Sequence, residues 1–275
     1  MTAGLLSFGR TVVASPTFQI TWVNADNTWV NAPAGWTTVR NQFTTDMGLW
    51  FSTTINIVID IGYNTVGGGA LGGGGSSIVV PILPTYADVK AAMIANSTYA
   101  SGTLPSSLSN GSGSMASTSP LGQALGLNGP NPVHDGSVGF SSSTTWDLST
   151  DGSCAAGHIS LYGEYVHEVF EVMGRVWTND SFTSAQGLFS FTAPATRNET
   201  HLATRYFSDD NGTTNLGAWN HVANGGDYGD WNQLGDCCDY QNTTGQSGVP
   251  TLRDMRVMAA MGWNLTAAGR TLAGI

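Results

Sequence analysis

Residues 160–177, SLYGEYVHEVFEVMGRVW, constrain this chain more than any other stretch. Val166, Val169, Phe170, Met173 and Val176 recur at gaps of three and four, so one face of an α-helix is apolar and has to be covered. Covering it takes a second layer. Residues 53–61, TTINIVIDI, are mostly β-branched and read as a central strand of that layer. A helix and a strand of this strength, far apart in one chain, point to an α+β domain.

The remaining segments fit that frame. Residues 36–51 place Trp36, Val39, Phe43, Met47 and Trp50 in helical phase. Residues 85–96 read as a helix capped by Thr85, with Asp88 in its first turn. Residues 251–264 read as a helix opened by Thr251 and stopped by Gly262, with Leu252, Met255, Val257, Met258 and Met261 in phase. Residues 17–31 read as strand, turn and strand, and 134–148 as turn and strand. The glycine tract at 65–77 reads as a flexible loop or wide hairpin leading into the strand SIVVPIL, and 120–127 as a short helix. Residues 100–119 and most of 178–250 read as loop. No linker divides the chain, so residues 1–275 are expected to form one domain.

Composition narrows the function. Only 10% of residues are charged, against roughly 25% in ordinary soluble domains. The net charge of −10 repels phosphates and argues against nucleic acid as a partner. No run approaches the roughly 18 apolar residues of a membrane span. A surface rich in Ser, Thr, Asn and Gly suits an extracellular protein, as do seven Asn-x-Ser/Thr triplets, which chance also explains. The first eighteen residues do not read as an export signal. Three cysteines, Cys154, Cys237 and Cys238, make no disulfide framework. A bridge from Cys154 to the vicinal pair and free thiols are both open.

One constellation carries chemistry. On a helix His167 and Glu171 lie one turn apart on the same face and can chelate one ion without backbone strain. Glu168, beside the first ligand, can take a proton from an attacking water. The plain alternative is an ion pair between Glu171 and Arg175 on a solvated face, with His167 bonded to Glu171.

The longer string HEVFEVMGR resembles the HEISEVMGR-type motif of a family of bacterial secreted metalloproteases, distantly similar to the matrixin branch of the metzincins. The likeness extends in order over roughly residues 50–264. It takes in INIVIDIGY, YADVKAAM, HDGSVGFSS, GLFSFTAPATR, YFSDDNGTTNLGAWN, GDYGDW and LRDMRVMAAMGWN, and covers residues 1–50 less. The resemblance implies a metzincin-like domain with a twisted mixed sheet, an active-site helix and a C-terminal helix packed below. It also implies a secreted, zinc-dependent endopeptidase acting on a protein or peptide. By residue it gives the metal to His167 and Glu171 and the general-base role to Glu168. The chain departs from the longer metzincin motif at Glu171 and Trp177, where histidines are expected. Gly187 stands where the family has an acid.

A third ligand therefore has to come from elsewhere. Asp227 and Asp230, in a Gly-bounded loop that can fold back onto the helix, are the preferred pair; His201, His221 and His158 follow. Asp209-Asp210-Asn211-Gly212 resembles the oxygen-rich turns that hold calcium, although it is too short for an EF-hand loop and a plain Asx turn explains it better. Trp219, Trp231 and Trp263 line either a substrate cleft or the core. The competing function is a non-catalytic extracellular protein, structural or adhesive, that self-associates through the apolar β segments at 17–31 and 53–61.

Overall fold

The computed structural model describes residues 18–96, 104–109, 111–127, 133–177, 183–222, 226–239 and 248–275. Of the seven Asn-x-Ser/Thr triplets, those at Asn110, Asn179 and Asn242 lie outside these residues, as do residues 1–17.

The chain is α+β with a mixed main sheet. Strands β1 (Phe18–Val23), β2 (Ile55–Tyr63), β3 (Gly75–Val79) and β4 (Gly136–Phe140) stand in the order β1-β2-β4-β3. The first three in that order are parallel, and β3 runs antiparallel at the edge. The β1–β2 crossover is helix α1 (Ala34–Trp50), whose Trp36, Val39, Phe43, Met47 and Trp50 are all buried as their spacing predicts. Both edges of β2 are occupied, so the run at 53–61 is not available for pairing with a second copy.

Three expectations change. Residues 17–31 hold one strand, not two: after β1 the side chains of Asn24 and Asp26 capture the Trp29 and Thr28 amides, and Trp29–Asn31 closes into a 3-10 turn. The glycine tract contains a short hairpin, Thr65–Val66 with Gly69–Ala70, and then the start of β3 itself. Its neighbours β2 and β3 do not pair with each other, because β4 lies between them.

Helices α2 (Tyr86–Asn96) and α3 (Ser119–Ala124) follow the sequence expectation. Thr85 Oγ1 accepts from the Asp88 amide at 3.2 Å. Helix α4 (Leu161–Val172) is the central one; Ser160 caps it by accepting from the Gly163 amide at 3.0 Å. It ends sooner than the apolar pattern suggests, because Gly174 turns the chain in the left-handed region at φ 113°. A Cβ there would also stand 2.9 Å from Leu121.

Helix α5 (Leu252–Met261) has the expected Thr251 cap, completed by Asp254 as a capping box, and Gly262 at φ 108°. Its exit places Trp263 Nε1 on the Met173 carbonyl at 3.1 Å, which ties the base of α4 to the C-terminal region. A final helix α6 (Ala267–Ala273), capped by Thr266, had no sequence signal. Trp219, Trp231 and Trp263 are core residues; Trp219 and Trp231 stack at 4.2 Å.

Candidate metal centre

Every residue of α4 is buried, including its polar face. The apolar side packs on α1, where Phe43 stacks on Tyr165 at 5.5 Å and the Tyr162 hydroxyl donates to Asp46 at 2.6 Å. The polar side carries Glu164, His167, Glu168 and Glu171. Burying such groups is costly unless each meets a partner, and two elements supply partners. Edge strand β3 donates its Gly75 amide to Glu164 Oε1 at 2.8 Å and the Ser77 hydroxyl to Glu171 Oε2 at 2.7 Å. The loop 226–239 brings Asp230 over His167, with Oδ1 3.2 Å from His167 Nε2.

That loop is fixed by buried cations and carbonyls. Arg175 donates to the Gly229 carbonyl at 3.0 Å and to Asp230 Oδ1 at 3.2 Å. Gln186 Nε2 reaches the same carbonyl at 2.7 Å. Arg205, fully buried over the Trp177 ring, bonds the Asn220 and Tyr228 carbonyls. Arg175 therefore serves Asp230; among the described residues the alternative ion pair of Arg175 with Glu171 does not form, whereas His167 Nε2 does lie 3.7 Å from Glu171 Oε1.

The result is a cleft of about 270 Å³. Gly75, Ser76 and Ser77 form one wall, His167, Glu168 and Glu171 the floor, and Gly226, Asp227, Asp230 and Asp239 the other wall. Exposure is 5% for His167, 4% for Glu168 and Glu171, and 3% for Asp230. His167, Glu171 and Asp230 offer one ligand atom each, all within 4.8 Å of one another. An imidazole nitrogen and carboxylate oxygens are each donor types that zinc accepts. Two further facts fit a cation. Glu171 Oε1 is buried and accepts no hydrogen bond, and the Glu168 carboxylate takes none among the described residues. The Cys237 carbonyl, 3.3 Å from His167 Nδ1, leaves Nε2 to face the donors.

The electrostatics of the bare site are those of a place short of positive charge. Burial opposes a charge on His167, but Asp230 and Glu171 outweigh it and hold the imidazole protonated well above its ordinary range. Burial, then the Glu171 charge, pushes Glu168 well up. Burial raises Glu164 to about 7, and the Glu171 charge followed by burial raises Asp227 to about 7. For Glu171 burial is overcome by His167, Arg175 and the Ser77 hydroxyl, and its carboxyl stays low. Protons here do what a cation would do, and a metal would compete with them.

The sequence candidates separate cleanly. Asp230 joins His167 and Glu171, whereas Asp227 is exposed at the mouth and outside that set. His158, His201 and His221 are not part of it: the His201 ring rests on Tyr228 at 4.3 Å, and the His158 and His221 rings lie beside local carbonyls. The calcium expectation finds no shared donor set. Asp209 pairs with Arg256 at 2.8 Å, and Asp210 accepts from Ser208 and Thr214 within its own turn.

All three cysteines are free thiols. Cys237 and Cys238 are buried with their sulfurs 3.5 Å apart, and Asp236 and Asp254 lie within ligand distance of them. Those carboxylates are engaged already, Asp254 by Trp231 and Thr251 and Asp236 by Arg253.

Sequence reasoning missed the wall at Gly75–Ser77 and the place of Asp239 in the cleft. The crowding of acids at 227–239 was the signal for the second; nothing in a Gly-Ser run marks the first. Compared with family models, with curated proteins and with solved structures, the chain matches none of them.

Proposed function

We propose that the chain is a secreted, metal-dependent endopeptidase of the HEISEVMGR-type metalloprotease family, built on a metzincin-like domain. One observation carries this reading: the ligand atoms of His167, Glu171 and Asp230 converge within 4.8 Å in a cleft, with Glu168 beside them and without a hydrogen bond among the described residues. The antiparallel edge strand bordering the cleft, and the bond from Trp263 past the end of α5 to the Met173 carbonyl at the end of α4, support the metzincin-like fold. The sparsely charged, Ser/Thr/Asn/Gly-rich composition supports an extracellular setting.

His167, Glu171 and Asp230 would hold the ion, and their mixed nitrogen and oxygen donors are compatible with zinc. When bound, zinc supplies Lewis acidity toward a peptide carbonyl and makes water acidic near neutral pH. Glu168 accepts the proton of the attacking water and returns it to the departing amine. Ser77 and Arg175 orient the Glu171 and Asp230 carboxylates, and the Cys237 carbonyl sets the His167 ring. The cleft floor is nearly closed to solvent, which strengthens each of these interactions.

The test is hydrolysis of an unfolded protein by the zinc-loaded chain, with Glu168→Gln as comparator. Loss of the proton acceptor is expected to slow cleavage by about 10²–10⁴-fold. Equal rates for the two proteins, or no cleavage by either, would overturn the proposal.

A further inference from the structure

The cleft holds more negative charge than one divalent ion neutralises. Five carboxylates line it: Glu168, Glu171, Asp227, Asp230 and Asp239. Among the described residues the fixed cation at its border is Arg175, which is fully buried and bonded to Asp230. The carboxylates outnumber the positive charges that a divalent ion and Arg175 together supply. Asp227 is exposed at the mouth, where its carboxyl meets Glu171, and among the described residues it has no cationic partner. Glu168, 4% exposed and lining the cleft, accepts no hydrogen bond among the described residues, so it waits on a group from outside. No apolar side chain lines the cleft. A substrate side chain seated here gains nothing from hydrophobic burial and gains from positive charge.

We infer that the cleft selects cationic polypeptide, seating an Arg or Lys side chain of the bound chain against Asp227 at its mouth. The inference rests on the endopeptidase reading and names the substrate class of that same site. The net charge of −10 acts in the same direction at long range, drawing basic chains in and turning acidic ones away. Asp227 is a specificity residue here, outside the three-residue ligand set but next to Glu171.

The experiment uses two labelled peptides of one length and one Gly/Ser/Ala frame, differing in a central Arg or Glu. Binding is read by fluorescence anisotropy on the zinc-loaded Glu168→Gln protein, and cleavage on the wild type. The Arg peptide is expected to bind at least about tenfold more tightly, with the advantage shrinking at roughly 0.5 M salt. Asp227→Asn is expected to reduce the preference by about threefold, through KM more than kcat. Equal binding of the two peptides, or an unchanged preference in Asp227→Asn, would overturn the inference. The two readings fail separately. Cationic preference in binding without cleavage removes the peptidase reading and keeps the selectivity. Cleavage of both peptides at equal efficiency does the reverse.

Discussion

Ser77 and Glu171 are 94 positions apart in the chain, and the Ser77 hydroxyl donates to Glu171 Oε2 at 2.7 Å. This bond ties the edge strand to α4 and leaves Glu171 Oε1 as the oxygen open to a cation. Ser77→Ala is expected to lower zinc affinity by about tenfold, because outer partners of metal ligands are worth that much. The loss is to be read by competition with a chromophoric chelator. Unchanged affinity would mean that Ser77 does not orient the ligand.

Gly75 allows the strand to come this close. A Cβ at that position would overlap Glu164 Oε1 and stand 2.6 Å from Glu164 Cγ, and Glu164 is fully buried. Gly75→Ala is expected to cost about 1–3 kcal/mol in denaturant unfolding, with the cleft wall displaced and activity reduced. A variant as stable as the wild type would show that Glu164 can swing aside.

Arg175 is fully buried, and its ion pair among the described residues is with Asp230. Asp230→Ala strands that charge. Removing one partner of a buried pair costs about 3–5 kcal/mol. The metal-free variant should therefore unfold at markedly lower urea than metal-free wild type. A loss confined to zinc binding, with stability intact, would assign Asp230 to the metal alone.

The metal-free protein is expected to lose stability as pH rises. Glu164 is raised from an ordinary 4.5 to about 7, first by burial, and Asp236 from 3.8 to about 6, again by burial. His167 is also raised. The folded chain thus holds protons that the unfolded chain releases. That contribution is complete below the unfolded values and disappears as pH climbs through the folded ones. The lowered groups, Glu171 and Asp254, work the other way, but their contribution is already complete above ordinary carboxylate values. Between about pH 5 and about pH 8 the balance is therefore downhill for the metal-free chain. Zinc, which takes the place of the protons, should restore Tm most at the upper end. A metal-free Tm that is flat or rising over this range would contradict the assignment.

Much of the fold was legible because its signals are local. The spacing of Trp36 through Trp50 marked α1, the β-branched run marked β2, and Thr251 and Gly262 bracketed α5. The pair His167 and Glu171 was legible for the same reason. What escaped depends on distant partners. Ser77–Val79 read as the start of a strand, but Gly75 and Ser76, which read as loop, join that strand by pairing with Phe140 and Gly139. The second strand expected near Trp29 gave way to side-chain bonds from Asn24 and Asp26. Helix α6 is short and contains a glycine; the Thr266 cap and its bond to the Leu49 carbonyl secure it. Asp230 and Asp227 looked equivalent in sequence, and only the bonds from Arg175 and Gln186 to the loop decide which one faces His167.

The central claim is that His167, Glu171 and Asp230 form one metal site, and calorimetric titration of the metal-free protein with zinc tests it most directly. The account predicts about one ion per chain, with binding lost in His167→Ala and Glu171→Gln and retained in Glu168→Gln and Asp227→Asn. Absence of zinc binding in the wild type, or binding that survives both ligand substitutions, would contradict it.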